Sequence, residues 1–382
     1  MQDMEPMKTS TERILTTHTG SLPRPTWLDR GDPASVRAAV ADTVEHQLAS
    51  GVDIVNDGEV SKPSYATYVT ERLSGFGGER SPLQLRDVAT FPEFAQRMVS
   101  DASMAAVFSN PTCDGPVSYV AQGPLNADIA NLQAAVGAHT DEPALDGGPA
   151  DVFLTAASPG VIEMFMANRY YPSTEAYLGA LADAMKQEYD AIVAAGFVLQ
   201  LDCPDLACSW AIGPERSKEE FRKTVSMRLE ALDHATRDIP PERMRLHLCW
   251  GNYEGPHVLD VPFADIADLV LGSRPAAVSF EAANPRHEHE WRLFEDVALP
   301  DDKILVPGVL DSTTNYVEHP DLVAQRILRY AGLVGRERVI AGSDCGFATF
   351  AGLLTVDPRI TWAKLSAMGA GAQIASQQLW KS

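Results

Sequence analysis

Short apolar runs recur along this 382-residue chain, and each is bounded by Gly, Pro or Asp. Most are separated by amphipathic helical patterns; the stretch 173–195, for example, has apolar residues at spacings of three or four: Leu178, Leu181, Met185 and Tyr189. Eight strands are predicted, at residues 14–19, 52–56, 152–156, 197–202, 243–249, 277–281, 303–309 and 338–343. Apolar strands alternating with helices indicate an α/β fold with a parallel sheet, and eight units predict a single (β/α)8 TIM-type barrel.

One segment, from Gly77 to Gly148, interrupts this alternation because it is rich in Pro, Gly and Asp. We interpret it as a long insertion between strands two and three, placed to fold over the barrel mouth as a lid. The last helix, near 358–379, is expected to close the barrel. The sequence therefore predicts one domain spanning 1–382, with the insertion at 77–148 inside it.

Charge and composition exclude several classes of partner. The formal net charge is −21, and a chain this acidic repels phosphate backbones, so no nucleic acid is expected to bind. Apolar runs such as 191–195 are too short to cross a bilayer, so no membrane association is expected. The start of the chain, 1–6, has neither a basic end nor an apolar core, which predicts a cytoplasmic protein without a signal peptide.

Cysteine usage favours ligands or catalytic groups over disulfides. The chain has five cysteines, an odd and sparse number: Cys113, Cys203, Cys208, Cys249 and Cys345. Reduced thiols in a cytosolic enzyme are often metal ligands or catalytic groups. Cys203 and Cys208 are five apart without an evident partner, so we interpret them as buried thiols rather than a second metal pair.

Polar residues follow the predicted strands at their carboxyl ends. They are His18 to Ser21, Asp57 to Glu59, Asp202 to Asp205, His247 to Cys249, Glu281, Asp311 and Asp344 to Gly346. In a β/α barrel all carboxyl ends of the strands meet on one face, where active sites are built. We therefore expect these side chains to converge.

Four of these residues form a candidate zinc site. His247 and Cys249 are two apart on one strand, so their side chains point the same way. Glu281 and Cys345 end later strands, and one imidazole, two thiolates and one carboxylate suit tetrahedral Zn²⁺. An H-x-C pair alone is a weak signal, since it is more often a core histidine and a buried thiol than a metal site. Convergence of four ligands at one barrel mouth favours the metal.

Several motifs of the chain, in order, carry a resemblance to a known family: TTHTGSLPRP (16–25), NDGE (56–59), LQLDCPD (199–205), HLCWGN (247–252), SFEAAN (279–284), PGVLD (307–311) and SDCGF (343–347). The chain resembles the catalytic barrel of cobalamin-independent methionine synthase, in a short form without the N-terminal half. The resemblance implies that the zinc ligands are His247, Cys249, Glu281 and Cys345. It also implies that Ser21 holds the carboxylate of an amino-acid thiol, and that Glu59 and Asp202 hold its ammonium.

Three features depart from the family pattern. Thr313 stands where the family has a catalytic His, and Cys203 replaces the acid that follows Asp202. The tryptophan motif of the folate site is not evident, and residues 164–171 follow strand three instead. The resemblance therefore implies that metal and thiol activation are kept while the site of the electrophile is altered, and methyl-folate is not expected to be the donor.

Two further residues are candidate catalytic groups. His18 ends strand one, where it is either a proton donor that replaces the missing family His or a hydrogen-bonded structural histidine. Asp311 ends strand seven at the same predicted face.

These observations predict zinc-dependent transfer of a methyl or alkyl group to a homocysteine-like thiol. The expected partners are a small-molecule thiol and a carbon electrophile. One alternative is an epoxide-opening thiol transferase similar to epoxyalkane:coenzyme M transferase, which the chain resembles in length and in its H-x-C motif. Another is a non-enzymatic zinc-binding protein. Glu59 and Asp202 favour the first, since an ammonium clamp has no purpose for a sulfonate thiol.

Overall fold

The computed structural model describes residues 5–99, 109–140 and 148–381. Its strands are β1 (Ile54–Val55), β2 (Phe76–Pro82), β3 (Ser109–Cys113), β4 (Asp151–Ala157), β5 (Val198–Asp202), β6 (Met244–Leu248), β7 (Ala277–Phe280), β8 (Ile304–Leu310) and β9 (Gly342–Ser343). Seven of them form one parallel sheet in the order β1-β4-β5-β6-β7-β8-β9. The predicted parallel α/β architecture is confirmed, with helices between successive strands.

The two edges of this sheet are joined by the segment that contains the first predicted strand. The carbonyl of Thr16 accepts the backbone N–H groups of Asp53 and Ile54, next to and within β1. On its other side, Thr17 N donates to Ala341 O at 2.8 Å, beside β9. The segment therefore bridges both edges, although its only regular ladder contact is an isolated parallel bridge between Thr16 and Ala341. The other seven predicted strands each coincide with a strand of the sheet.

The helices lie between the strands and after the last of them. They are α1 (Pro33–Ala49), α2 (Arg86–Ala89), α3 (Pro92–Val99), α4 (Gly123–Thr140), α5 (Pro159–Phe165), α6 (Thr174–Ala194), α7 (Lys218–Ala235), α8 (Ala267–Leu271), α9 (Leu293–Asp296), α10 (Pro320–Val334) and α11 (Pro358–Leu379). Short 3-10 helices occupy Tyr68–Glu71, Pro204–Leu206, Cys208–Trp210, Pro241–Arg243, Phe263–Asp265, Glu288–Arg292 and Arg336–Arg338. None of the described helices is long and apolar enough to cross a membrane.

Helix α6 shows how the sequence pattern becomes packing. The side chain of Ser173 caps the helix by accepting the backbone N–H of Ala176, and the helix begins at Thr174. The apolar residues noted at spacings of three and four are all buried: Leu178, Leu181, Met185 and Tyr189. This stripe is the face that packs on the rest of the core.

The predicted insertion at 77–148 has structure of its own. Strands β2 and β3 form an antiparallel pair, and α2 and α3 lie between them along the chain. Helix α4 packs against α1, where Asn131 accepts a hydrogen bond from Arg37, so the later part of the segment lies on the outside of α1. Residues 100–108 and 141–147 of this segment lie outside the described residues. The boundaries of the insertion and its role as a lid stay predictions.

We expect Glu188→Gln to lower the free energy of unfolding by about 3–5 kcal/mol, because it leaves the buried Arg72 guanidinium without its counter-charge. In the native protein Arg72 donates to both oxygens of Glu188, at 2.7 and 2.9 Å, and the two side chains are 4% and 2% exposed. Urea unfolding followed by circular dichroism measures the change.

The matched control is Glu219→Gln. Glu219 pairs with Lys223 at 2.7 Å, but these side chains are 79% and 71% exposed, so the change should cost less than about 1 kcal/mol. Equal losses in the two variants would contradict the structural role assigned to the buried pair.

Candidate metal centre and substrate cavity

Three of the four predicted metal ligands lie together in the structure. The ligand atoms of His247, Cys249 and Cys345 are all within 4.8 Å of one another, and all three residues are buried. The Sγ atoms of the two cysteines are 3.6 Å apart. His247 is in β6 and Cys249 directly follows that strand, whereas Cys345 is the second residue after β9. Side chains alternate between the two faces along β6, so His247 and Cys249 point the same way, toward Cys345.

The turn that carries Cys345 is held by its neighbour Asp344. One carboxylate oxygen of Asp344 accepts the backbone N–H groups of Ala282 and Ala283, at 2.7 and 2.8 Å. The other oxygen accepts the N–H of Asn284 at 2.8 Å. Burial and the charge of Glu281 nonetheless raise the pKa of Asp344 to about 8. These bonds tie the end of β9 to the end of β7, and so fix Cys345 beside the carboxyl end of β6.

The chemistry of the three ligands fits a metal ion. Neither ring nitrogen of the buried His247 has a hydrogen-bond partner among the described residues. Burial, followed by the charge of Arg245, lowers the pKa of His247 to about 3, so the imidazole is neutral and free to coordinate. The thiol of Cys345 and burial raise the pKa of Cys249, so two ionised thiols here need a cation between them. A nitrogen and two sulfurs suit a soft or borderline metal.

Glu281, the fourth predicted ligand, lies beside this group and is not part of it. Its Oε1 accepts the backbone N–H of Trp250 at 2.8 Å, and its Oε2 accepts the side-chain amide of Asn284 at 2.8 Å. Burial raises the pKa of the Glu281 carboxyl. The structure thus places the carboxylate next to the residue that follows Cys249, with both of its oxygens already hydrogen-bonded.

The three clustered ligands share one cavity with all three predicted substrate-binding residues. Ser21, Glu59 and Asp202 line it, although they come from three different segments of the chain. The hydroxyl of Ser21 lies 3.4 Å from the backbone N–H of Ala348. A side chain at position 346 would collide with this hydroxyl, which is why Gly346 is required next to Cys345.

Glu59 is held in an uncommon backbone conformation. Its φ angle is +54°, in the left-handed region that non-glycine residues seldom occupy. Asp57 Oδ1 accepts its backbone N–H at 3.0 Å, and Thr155 donates a 2.6 Å hydrogen bond to its Oε1. Lys62 donates in turn to the Thr155 hydroxyl at 2.6 Å. The turn therefore aims the carboxylate into the cavity from a fixed position.

Asp202 faces the same space from the end of β5. Its Oδ1 accepts a 2.7 Å hydrogen bond from Gln200. Burial and the nearby charge of Glu59 raise the pKa of Asp202 to about 8, because two carboxylates in one cavity repel each other when both are ionised. A bound cation between them would relieve that repulsion.

Neither His18 nor Asp311, the two candidate catalytic residues, lines this cavity. His18 Nε2 is 2.8 Å from Gln47 Oε1, its Nδ1 accepts the Gly20 N–H, and burial lowers the pKa of its imidazole to about 3. These contacts are those expected of a hydrogen-bonded structural histidine, which is one of the two alternatives that the sequence left open for His18. Asp311 lines a neighbouring cavity with Glu281 and accepts hydrogen bonds from the backbone and hydroxyl of Thr313, at 2.8 Å each.

Sequence reasoning missed several residues that line the cavity: Tyr65, Met164, Phe165, Cys208 and Phe350. Cys208 was interpreted only as a buried thiol, and its backbone N–H donates to Cys249 O. Met164 and Phe165 begin the segment 164–171 that replaces the family's tryptophan motif, so that departure was a usable signal. Tyr65 and Phe350 do not lie at the end of any predicted strand, so no sequence signal marked them as site residues.

Comparison with known proteins supports the resemblance to the methionine synthase family. No protein-family model matches the chain. The methionine synthase of Saccharolobus solfataricus is 24% identical to it over 385 residues, which cover 96% of each chain. That of Thermococcus kodakarensis is 24% identical over 375 residues, covering 94% of this chain and 93% of its own.

Two solved structures share the fold. A B12-independent methionine synthase from Shewanella sp. W3-18-1, in complex with selenomethionine, superposes with a TM-score of 0.73 at 19% identity, covering 96% of this chain and 99% of its own. A putative vitamin-B12-independent methionine synthase from Listeria monocytogenes gives 0.63 at 16% identity, covering 97% and 100%. The resemblance to this family inferred from the sequence is confirmed.

We expect the purified protein to contain one metal ion per chain, and Cys345→Ser to lose most of it, because a neutral hydroxyl is a poor substitute for a thiolate. Elemental analysis of dialysed protein measures the content. Cys113→Ser is the matched control, since Cys113 is buried but is not part of the ligand group. Equal metal content in the two variants would contradict the assigned site.

Proposed function

Since this chain is related to the methionine synthases over nearly its whole length, we propose that it transfers a methyl or alkyl group to the sulfur of a homocysteine-like amino thiol. One observation carries the proposal: the ligand group and the three predicted substrate-binding residues open into a single cavity. We also propose that the sheet closes into an eight-stranded barrel. The hydrogen bonds that join segment 14–17 to both edges of the sheet support this closure.

The proposed metal is zinc, held by His247, Cys249 and Cys345 with Glu281 as the fourth ligand. One nitrogen, two sulfurs and one carboxylate are a set that zinc prefers. When bound, zinc lowers the pKa of a coordinated substrate thiol, so that the thiolate is available near neutral pH. The position of Glu281 beside Trp250 N supports its inclusion, since the carboxylate lies next to the strand that carries two of the ligands.

The residues of the cavity bind the amino-acid end of the thiol. Glu59 and Asp202 present two carboxylates to the ammonium, and this cation favours the ionised form of Asp202. Ser21 offers its hydroxyl to the substrate carboxylate. A ligand held at both charged groups keeps its sulfur in the same cavity as the metal ligands. The complex of the Shewanella enzyme with selenomethionine supports an amino acid of this shape.

The lining of the cavity also separates this function from the alternatives. Among the described residues that line it there is no Lys or Arg to bind a sulfonate, and Glu59 and Asp202 would repel one. An epoxide-opening transferase that uses a sulfonate thiol is therefore not favoured. A metal-storage protein has no need for a zwitterion clamp beside its metal ligands.

We expect Glu59→Gln to weaken homocysteine binding by about ten- to a hundredfold while the metal stays bound, because losing a charged hydrogen-bond partner costs about 1.5–3 kcal/mol. Calorimetric titration measures the affinity and elemental analysis the metal. 4-Mercaptobutyrate, which lacks the ammonium, is the control ligand. Loss of the metal, or equally tight binding of the control ligand to the unmutated protein, would count against the clamp.

Below pH 8, we expect methionine binding to weaken about tenfold for each pH unit, because the ammonium needs Asp202 ionised and the pKa of Asp202 is about 8 in the free protein. The raised pKa means that the free carboxyl is protonated at pH 7, so binding releases a proton. Methionine is the ligand here because it has no thiol proton of its own. Calorimetry in two buffers counts the proton, and Asp202→Asn should abolish its release; unchanged release in that variant would contradict the assignment.

A further inference from the structure

Three aromatic side chains line the substrate cavity together with the proposed metal ligands, and the ring of the first contacts the other two: Tyr65, Phe165 and Phe350. The ring of Tyr65 meets Phe165 and Phe350 edge to face, with centroids 5.9 Å apart in both pairs. Tyr65 and Phe350 lie on two loops that meet through an isolated bridge between Ser64 and Phe350. The aromatic cluster is thus built into the same cavity as the amino-acid clamp and the proposed metal ligands.

The charge of this cavity is negative. A divalent ion bound to two thiolates and the Glu281 carboxylate carries a net negative charge, and the Glu59 carboxylate adds another, so the cavity is anionic. The nearby cations point elsewhere: Lys62 donates to the carbonyl and hydroxyl of Thr155, and Arg24 donates to the carbonyls of Glu59, Lys62 and Ala348. A second substrate with anionic groups finds no partner among the described residues of this lining, whereas a cation finds aromatic rings in a negative field.

The cavity also lacks a group that could protonate a leaving amine. Besides the clamp carboxylates and the three clustered ligands, the described residues that line it supply only hydroxyls and the Cys208 thiol as proton donors, and these are weak acids. Asp202 is paired with the substrate ammonium in the proposed complex, and His18 and Thr313 lie outside the lining. Transfer from an amine nitrogen needs general acid assistance, and this cavity favours a donor that needs none.

We propose that the second substrate is an onium methyl donor, a sulfonium whose positive sulfur carries three carbon groups, bound against Tyr65, Phe165 and Phe350. This inference rests on the proposed function. The thiol loses its proton to solvent, and the resulting thiolate forms a new sulfur–carbon bond to the methyl group. The methyl–sulfonium bond breaks, its electron pair stays on the departing sulfur, and that sulfur leaves as a neutral thioether without a proton. Loss of the positive charge removes the attraction to the rings and favours release.

The first test measures binding without turnover. Choline and its uncharged isostere 3,3-dimethylbutan-1-ol are titrated into the metal-loaded protein. We expect choline to bind about tenfold more tightly, and Phe350→Leu and Tyr65→Leu to remove most of this preference. Phe91→Leu is the matched control, since Phe91 is exposed and outside the cavity. Equal binding of the two probes, or a preference unchanged by both cavity substitutions, overturns the proposal. Retained methionine binding verifies that the variants fold.

The second test measures methyl transfer to homocysteine. S-Methylmethionine and trimethylsulfonium should both yield methionine, and methyl-tetrahydrofolate should yield none with the wild type. Absence of methionine formation from both sulfonium donors overturns the proposal. If methionine and homocysteine do not bind at all, the proposed function itself fails. If they bind and methyl-folate is the donor, only the onium inference fails.

Discussion

The buried guanidinium of Arg245 connects the parts of the chain on which the site depends. It lies two residues before His247 on β6 and is only 1% exposed. It donates to Gln200 Oε1, Thr17 Oγ1 and the carbonyl of His18, at 2.7–2.9 Å, and lies 3.5 Å from the centroid of the Phe153 ring. The segment around Thr17 has only an isolated bridge as regular pairing, so these bonds fix its position against β5 and β6. These bonds thereby fix the position of Ser21 relative to the proposed metal ligands.

A charge so deep in the protein has electrostatic effects on both halves of the site. Burial lowers the pKa of Arg245 to about 9, since few acids lie close enough to compensate. Its positive charge adds to burial in keeping the imidazole of His247 neutral, which is the form that coordinates a metal. It also opposes the rise in the pKa of Asp202. One side chain that touches no predicted ligand thus adjusts the charge state of the metal ligand and of the clamp.

The sequence predicted the parts of the fold and site that follow local rules. Continuous apolar strands, helical spacing and polar strand ends located His247, Cys249, Cys345, Ser21, Glu59 and Asp202, and the structure places all six along one cavity. It could not predict that the His18 ring turns to Gln47, because that depends on how α1 packs against the strand end. Nor could it find Tyr65 and Phe350, since two loops nearly three hundred residues apart meet only in the folded chain.

The isolated bridge between Ser64 and Phe350 has an evolutionary consequence. Asp202, His247 and Cys249 stand at the ends of parallel strands, where any backbone shift disturbs a shared hydrogen-bond ladder. The aromatic cluster stands on loops whose composition can change at little cost to the sheet. Under the proposed function, selection can therefore exchange the carbon donor by altering these two loops while the proposed thiol chemistry is kept. Among related proteins, amino-acid substitutions would therefore accumulate first around residues 64 and 350, and last at the proposed metal ligands.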